Sequence, residues 1–386
     1  MKKHSIGPKD FLSKAIRLDI RKMTALLILI LCFGISSSWG AKPALKIYVN
    51  ASAALNGDGT SWATAFTDLQ DALEAAVSGD EIWVAAGTYT PTDSSDRSVS
   101  FVLKSGVALY GGFAGGEKAL RERSLDPGLT VLSGDIGTPD VDTDNSYHVV
   151  YAAGVTGAVL DGFTVTRGRG GDNSAGAGMY NTNSALTVAN CIFSNNKVAV
   201  GTVWGWATGR GGGMYNKNSA PIVTNCTFIA NQAGNTVNDK IGAGGGMYNE
   251  GYFDNGVDRQ SPVISGCTFS DNVASSKWEV SVMLGGGGGG GMYNFDCSPT
   301  IDRCTFVRNL GGMGGGMLNF YAQPTITNCI FNTNSNNYGD GKGGAIYNLA
   351  DATILNCTFY QNGWRLFPVG YPEPRFRAYT AAGGAV

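Results

Sequence analysis

The sequence contains little charge and almost no histidine. Of its 386 residues only 15 % are charged, two are histidine, and the formal net charge is −2. A balance this close to neutral gives no reason to expect nucleic acid as a partner. Glycine, with 57 residues, is too abundant for long helices, and the low charge together with 10 % aromatic residues argues against disorder. Many turns, and hence many short strands, are expected instead.

The first forty residues have the features of an export signal. A basic leader is followed by an apolar run from Ala25 to Ile35, and the small residues Ser38 and Gly40 precede the expected cut. This run of eleven residues is too short to span a bilayer, so a membrane anchor is the less favoured interpretation. We therefore expect residues 1–40 to be a signal peptide. The mature chain should be secreted or held at the cell surface, without a transmembrane segment.

Two short blocks recur six times in the second half of the chain. The first reads Gly-Met-Tyr-Asn in most copies, and the second reads Cys-x-Phe-x-x-Asn. The copies of the second block begin at Cys191, Cys226, Cys267, Cys304, Cys329 and Cys357. The shortest full period, from Cys304 to Cys329, is 25 residues. A repeat of this length with little helical periodicity fits a solenoid coil of three short strands and three turns.

The positions within each repeat predict which side chains face the core. An apolar residue stands three positions before each Cys, as Val223 does before Cys226. Residues three apart in a flat strand point to opposite faces, so the chain should bend between them if both face inward. The residue before the Cys is Asn in four copies and Gly in one, which suits a left-handed backbone, and Arg303 is the exception. We expect the Met, Val or Ile, Cys and Phe columns to stack inside, and the Asn columns to stack amide on amide at the corners.

The six cysteines of this column could suggest a metal or disulfide site. Zinc requires four ligands that converge as a tetrahedron, and a straight column does not converge. Export would allow disulfides, but the parallel directions of the Cβ atoms disfavour the torsion that a disulfide needs. We expect a ladder of reduced and buried thiols.

The repeat pair resembles that of the polymorphic outer membrane protein family, in which Gly-Gly-Ala-Ile is paired with Phe-x-x-Asn. Residues Gly343 to Ile346 and Phe359 to Asn362 carry the resemblance, which extends over about residues 176 to 386. The resemblance implies an all-β, right-handed parallel β-helix of the pectate-lyase-like fold, exported by a bacterium and associated with the outer membrane. The N-terminal region is similar to a broader group of exported bacterial β-helix proteins, for example from Gly79 to Tyr89.

The mature chain is divided at residue 168. Residues 41–168 are expected to form an N-terminal cap and the first coils, because the apolar residues from Phe66 to Val77 fall on one face of a helix. Such a helix would cover the strand edges of the first coil. Residues 169–386 should form the repeat β-helix. The chain stops at a Gly-Gly-Ala-Val sequence that opens a seventh repeat, so the β-helix is expected to be truncated at its C-terminal end.

No catalytic constellation is recognisable in the sequence. Many polysaccharide lyases and glycoside hydrolases share this fold, but a fold alone is a weak argument for activity. Such enzymes need paired carboxylates, or a base together with calcium-binding acids. The outward repeat positions are mainly Thr, Asn and Ser, the mature chain has only His148, and Asp161 is a lone acid at a turn. We favour a non-enzymatic adhesion or matrix protein that binds glycan or a host or cell-surface protein, with a polysaccharide lyase or glycoside hydrolase as the alternative.

One acidic segment is a candidate calcium site. Asp140, Asp142 and Asp144 have the spacing that calcium loops use. The Gly and Glu that an EF-hand requires are replaced by Asn145 and Tyr151, so the segment does not match that motif. A solvated acidic loop is the competing interpretation, and no cofactor other than calcium is expected.

The segments inserted between repeats are the candidate ligand-binding region. Insertions in a solenoid cluster on one side, which is often the binding side. Four of the seven tryptophans fall in these insertions, namely Trp204, Trp206, Trp278 and Trp364. Exposed aromatic rings stack on sugars and anchor protein interfaces, so these residues predict a binding edge. The competing interpretation is that the insertions bury their own aromatic side chains.

Overall fold

The structure is a computed structural model, and it describes residues 44–171, 174–198, 209–234, 241–251, 253–254, 257–258, 261–274, 287–336 and 343–364. These residues form a right-handed parallel β-helix, which confirms the fold class that the sequence predicts. The predicted signal peptide, residues 1–40, lies outside the described residues.

Four long parallel sheets run along the solenoid, and each described coil from Val150–Ala153 onward contributes one strand to each of them. The ten-stranded sheet contains Lys46–Val49, Glu81–Ala85, Ala108–Phe113, Thr156–Asp161, Ala185–Ala189, Ile222–Thr224, Val263–Ser265, Thr300–Asp302, Thr325–Thr327 and Thr353–Leu355. The nine-stranded sheet contains Gly87–Tyr89, Thr130–Ser133, Thr164–Thr166, Ile192–Ser194, Thr227–Ile229, Thr268–Ser270, Thr305–Val307, Ile330–Asn332 and Thr358–Tyr360.

The other two long sheets complete the coil. The eight-stranded sheet contains Phe101–Val102, Val150–Ala153, Met179–Thr182, Met214–Lys217, Met247–Glu250, Met292–Phe295, Met317–Phe320 and Ile346–Asn348. The seven-stranded sheet contains Arg169–Gly170, Lys197–Val198, Gln232–Ala233, Val273–Ala274, Leu310–Gly311, Ser335–Asn336 and Gly363–Trp364. Gly209–Arg210 and Gly242–Ala243 form a short parallel pair, and Phe253–Asp254 and Val257–Asp258 form an antiparallel pair.

The predicted bend before each Cys is present. It joins the ten-stranded to the nine-stranded sheet, and Asn225 adopts a left-handed backbone there with φ of 52°. The equivalent residues have φ between 49° and 63°: Asn190, Gly266, Arg303, Asn328 and Asn356. Arg303, the exception in the sequence pattern, takes the same conformation with φ of 49°. The coil geometry therefore imposes this bend even where the residue does not favour it.

The columns predicted to face inward fill the core. Val223, Cys226 and Phe228 are buried, and Val223 and Phe228 pair in register with Ile264 and Phe269 in the next coil. Successive phenylalanine rings stack almost parallel, with 4.8 Å between the ring centroids of Phe228 and Phe269. The thiols are also stacked: the backbone N–H of Cys226 donates to Sγ of Cys267 at 3.4 Å. Burial of the apolar columns is the main source of stability in such a coil.

Two columns of asparagine run through the solenoid. In the predicted corner column, Nδ2 of Asn231 donates to Oδ1 of Asn272 at 3.0 Å and to the carbonyl of Phe193 at 2.8 Å. The corner column contains Asn196, Asn231, Asn272, Asn309, Asn334 and Asn362. A second column, in the eight-stranded sheet, contains Asn181, Asn216, Asn249, Asn294, Asn319 and Asn348. These bonds satisfy amides that would otherwise be buried at a cost.

A glycine turn precedes each strand of the eight-stranded sheet that begins with Met. Gly244 has φ of 64°, and a Cβ atom there would lie 2.3 Å from the carbonyl oxygen of Met247. The same turn recurs at Gly176, Gly211, Gly289 and Gly314, and also at Gly343 before the strand that begins with Ile346. The glycine three residues before each of these strands is therefore fixed both by the left-handed backbone and by lack of space.

A short helix, Leu69–Ala75, packs at the N-terminal end of the described coils. Asp68 caps it by accepting a hydrogen bond from the backbone N–H of Gln70 at 2.9 Å. Leu69, Ala72 and Leu73 are buried and belong to the main core. Its predicted role as a cap of the solenoid stays a prediction.

Three 3₁₀ turns, Trp62–Thr64, Leu120–Glu122 and Pro127–Leu129, complete the helical structure in the described ranges. None of the helices in these ranges is long and apolar enough to cross a membrane.

Candidate functional site

A pocket lined by charged side chains lies beside the coils that precede the first Cys block. Its volume is 220 Å³. We call it the charged pocket, and it is lined by Asp135, Asp140, Asp142, Asn145, Arg167, Gly168, Arg169, Asn195 and Lys197. The residues come from three segments of the chain. Strands Arg169–Gly170 and Lys197–Val198 supply two of the cations, and the loop after Thr130–Ser133 supplies the acids.

The charges of the pocket are arranged as ion pairs. Arg167 contacts the carboxylates of Asp135 and Asp140, and the distance from its Nη1 to Oδ1 of Asp140 is 2.6 Å. The hydrogen bond to Asp140 and the further bond to Asp135 raise the pKa of Arg167 above its ordinary value. Asp142 accepts from Arg169 at 2.9 Å and from Lys197 at 3.5 Å. The three acids and three cations therefore balance, and the pocket has no net charge.

Three consecutive residues beside these pairs carry buried oxygen atoms without hydrogen-bond partners. These atoms are Oδ1 of Asp144, Oδ1 of Asn145 and Oγ of Ser146, and no donor reaches them from the part of the chain that the structure describes. Asn145 lines the pocket and is only 3 % exposed. Its Nδ2 donates to the carbonyl of Arg167 at 2.7 Å, which fixes the orientation of the amide. A buried acceptor left in this way costs about 1–3 kcal/mol.

The three predicted calcium ligands are each bonded to other groups of the protein. Asp140 is engaged by Arg167, Asp142 by Arg169 and Lys197, and Oδ2 of Asp144 accepts from the backbone N–H of Thr138 at 2.9 Å. In the described ranges, no group of three or more His, Cys, Asp or Glu side chains is placed to hold a metal ion. Calcium binding at Asp140, Asp142 and Asp144 stays a prediction.

An aromatic column runs along the outer face of the eight-stranded sheet. Tyr151 and Tyr180 stack with 5.4 Å between ring centroids and 7° between ring planes. We call the column the tyrosine stripe, and its rings are Tyr151, Tyr180, Tyr215, Tyr248 and Tyr293. Tyr151 and Tyr180 are half-buried, whereas the later three rings are buried together with Ala243 and Met313. The stripe is therefore open to solvent at its first two rings only.

An ion pair marks the point at which the stripe becomes buried. Arg210 contacts Glu250 at 3.0 Å, and its guanidinium lies 5.5 Å from the ring centroid of Tyr248. The hydroxyl of Tyr215 donates to the same Glu250 carboxylate at 2.5 Å. Burial, together with the charge of Glu250, raises the pKa of Tyr215, so this phenol stays protonated. The cluster is a neutral hydrogen-bonded network.

His148 flanks the open end of the stripe. Its Nδ1 donates to the carbonyl of Gly176 at 3.0 Å, and its ring centroid is 5.1 Å from that of Tyr180. Burial lowers the pKa of His148, although the bond to Gly176 acts in the opposite direction. Arg97 donates to the carbonyls of Asn145 and Arg169 at the charged pocket, and Ser100 in the same segment donates to the carbonyl of His148 at 2.7 Å. The pocket and the open end of the stripe thus share one supporting segment.

The predicted tryptophan edge is largely outside the described residues. Trp204, Trp206 and Trp278 lie there, and Trp364 ends the described strand Gly363–Trp364 with an undescribed side chain. The proposed binding role of all four residues stays a prediction.

The tyrosine stripe is not among the sites predicted from the sequence, and of the residues that line the charged pocket only Asp140 and Asp142 are, as predicted calcium ligands. The Tyr of each Gly-Met-Tyr-Asn block recurs with the repeat, so an outward aromatic column could have been inferred from alternation along the strand. The pocket gives no comparable signal, since Asp135, Arg167 and Lys197 are far apart in sequence and follow no motif. Their proximity depends on the stacking of irregular early coils.

Comparisons with known proteins find similarity in structure but not in sequence. No family model matches the chain, and no curated protein is similar to it in sequence. A pectin methylesterase from Aspergillus niger is similar in structure, with 14 % identity, a TM-score of 0.42 and coverage of 83 % of this chain and 87 % of that one. A pectate lyase has 15 % identity, a TM-score of 0.47 and coverage of 82 % and 79 %. A rhamnogalacturonan lyase has 14 % identity, a TM-score of 0.43 and coverage of 86 % and 79 %. Identities this low say nothing of activity.

Proposed function

We propose that this chain is an exported, non-enzymatic β-helix protein that binds glycan at the cell surface or in the extracellular matrix. The observation that carries the proposal is the open end of the tyrosine stripe. Tyr151 and Tyr180 present two almost parallel rings, half-buried and held in place by the strands below them. Rigid aromatic rings give sugars and protein partners a large contact surface at little cost in conformational entropy.

The proposal is tested by measuring glycan binding with and without these rings. Wild-type protein is compared on a glycan array, and then by titration against the glycans that bind, with a Tyr151→Ala/Tyr180→Ala variant. We expect the variant to bind at least about tenfold more weakly, since central aromatic contacts contribute more than about 1 kcal/mol each. Tyr321→Ala, which changes an exposed ring outside the stripe, is the matched control. Equal binding by the folded double variant and the wild type would exclude the tyrosine stripe as the glycan-binding site.

The tryptophan edge is a second candidate for the same binding function. We compare wild-type protein with a Trp204→Ala/Trp206→Ala/Trp278→Ala variant in the same glycan assay and in binding to cells, which also detects a surface protein as the ligand. Weaker binding by the variant would identify the tryptophan edge as the binding site. Unchanged binding by a folded variant would remove these tryptophans from consideration.

The alternative function is cleavage of a polysaccharide. The charged pocket does not favour it, because Asp135 and Asp140 hold Arg167 in its protonated form, and Arg169 and Lys197 engage Asp142. A lyase requires a free base, and a hydrolase requires two free carboxyl groups. We expect no unsaturated products when the protein is incubated with calcium and pectin, alginate or chondroitin. Products that disappear on substitution of a single acid or Arg would establish the enzyme instead.

Export and surface attachment are also part of the proposal. The basic leader and the short apolar run of residues 1–40 support a cleaved signal, and the repeat pair supports a surface protein like those of the polymorphic outer membrane protein family. The division of the chain at residue 168 belongs to the same proposal. Cell fractionation and N-terminal sequencing of the mature protein test it. A chain that keeps residues 1–40 and stays in the cytoplasm would contradict it.

A further inference from the structure

The charged pocket contains one acceptor that the described protein cannot satisfy. Oδ1 of Asn145 is buried and has no donor, while Nδ2 of the same amide is held by the carbonyl of Arg167. The amide cannot be reversed without placing two acceptors against each other. Asn145 helps to line the pocket, so a donor group on a ligand bound there would satisfy this atom.

Lys197 is the cation of the pocket that is held least tightly. Nζ of Lys197 reaches Asp142 only at 3.5 Å, whereas Arg169 bonds to that carboxylate at 2.9 Å. An ammonium group has three protons to donate, so Lys197 can bond to a ligand without giving up its ion pair. Arg167, by contrast, is committed to Asp135 and Asp140.

The balance of charge and the size of the pocket restrict the ligand. Three acids face three cations, so the pocket carries no net charge that would attract a charged ligand. A hydroxyl group both donates and accepts, as Asn145 and Lys197 together require. The volume of 220 Å³ is below the range of about 300–1,000 Å³ that is usual for drug-sized ligands, which suits one small ring.

We propose that the charged pocket binds a single uncharged sugar unit, which donates a hydroxyl to Oδ1 of Asn145 and accepts a hydrogen bond from Nζ of Lys197. This inference rests on the proposed glycan-binding function and adds a site separate from the rings of the tyrosine stripe. It also specifies the class of glycan, namely one that contains neutral hexose units rather than uronates alone.

Calorimetric titration of the whole mature chain tests the proposal. The probes are neutral gluco-, galacto- and manno-oligosaccharides, an oligogalacturonate, and calcium chloride alone. We expect saturable binding of at least one neutral probe, and a loss of about tenfold in affinity in Lys197→Met, because this variant loses a hydrogen bond from a charged donor. Lys118→Met changes an exposed lysine elsewhere and should bind like the wild type.

The outcomes separate this inference from the function on which it rests. If the neutral probe binds the wild type and Lys197→Met equally, but Tyr151→Ala/Tyr180→Ala weakly, the pocket is excluded and glycan binding remains. Tighter binding of oligogalacturonate than of every neutral probe, lost in Lys197→Met, would overturn the neutral ligand. Binding of calcium alone, strengthened by Lys197→Met, would make the pocket a cation site. Failure of every glycan to bind the wild type would overturn both proposals.

Discussion

Single side chains in the phenylalanine column contribute unequally to the stability of the fold, because their burial changes along the solenoid. The ring of Phe228 is stacked on Phe193 at 4.9 Å and on Phe269 at 4.8 Å, and it is fully buried. Phe359, in the last described coil, contacts only one ring of the column, Phe331, and is 49 % exposed. The two positions have the same place in the repeat, so a comparison between them isolates the effect of packing.

Phe228→Ala should lower the free energy of unfolding by about 3–5 kcal/mol, since it removes buried surface and leaves a cavity. Phe359→Ala should cost about 1–2 kcal/mol, because half of that ring is already in contact with water. Urea-induced unfolding followed by circular dichroism measures both. Equal losses at the two positions would contradict the burial that the structure shows.

His148 should make stability depend on pH in a defined direction. Burial lowers its pKa in the folded state, whereas the unfolded chain has a pKa of about 6.5. As pH falls below the unfolded value, the unfolded state takes up a proton that the folded state refuses, so stability decreases. Above that value both states are neutral and the effect vanishes.

The difference between wild type and His148→Gln isolates this contribution. Between about pH 7.5 and about pH 5, the wild type should lose more stability than the variant. Only the wild type has a histidine at this position, which takes up a proton more readily in the unfolded chain than in the folded one. Urea midpoints across this range provide the measurement, and the other titrating groups cancel in the comparison. Parallel curves for the two proteins would show that His148 is freely protonated in the fold.

At the level of turns and strands, the glycine turns are the least replaceable elements of the coil. Gly244 has both a left-handed backbone and a carbonyl oxygen at 2.3 Å from the position of a Cβ atom. Gly154 has φ of 66° but no atom within 4 Å of that position. A comparison of substitutions at the two glycines therefore distinguishes backbone strain from a steric collision of the added Cβ atom.

Gly244→Ala should destabilise the protein by more than about 3 kcal/mol, because the turn must open to relieve the collision. Gly154→Ala should cost about 1–2 kcal/mol, the usual penalty of a left-handed alanine. Thermal unfolding of both variants measures the difference. A small effect at Gly244 would mean that the turn before Met247 can change its shape without cost.

The elements that repeat could be predicted from the sequence, and those that occur once could not. The bend at Asn225 and the inward positions of Cys226 and Phe228 follow from six aligned copies and strand parity. The charged pocket depends on Asp135 and Arg167, which lie in coils without the repeat and meet only through a left-handed residue at Arg167, with φ of 61°. No local pattern encodes such a contact.

On the scale of the whole molecule, stability should vary along the solenoid axis. Each coil contacts only its neighbours, so an end coil is supported on one side and an inner coil on both. Amide hydrogen exchange measured on peptides should show the strongest protection near residues 209–234 and the weakest in residues 343–364. The exposure of Phe359 and Leu355, against the full burial of Phe228, gives the physical reason. Uniform protection along the chain would instead indicate a single cooperative unit.

The asparagine column of the eight-stranded sheet also gives the molecule an electrical polarity. Every amide in it has the same orientation: Nδ2 of Asn181 donates to Asn216, and the series continues in that direction to Asn348. Dipoles aligned head to tail add, as peptide dipoles do in an α-helix. Oδ1 of Asn181, which has no partner among the described residues, is the negative pole, so we expect a cation to be favoured near Asn181 and an anion near Asn348. A charge of opposite sign placed near either pole should gain about 0.3–1 kcal/mol, and this gain should decrease as salt is added.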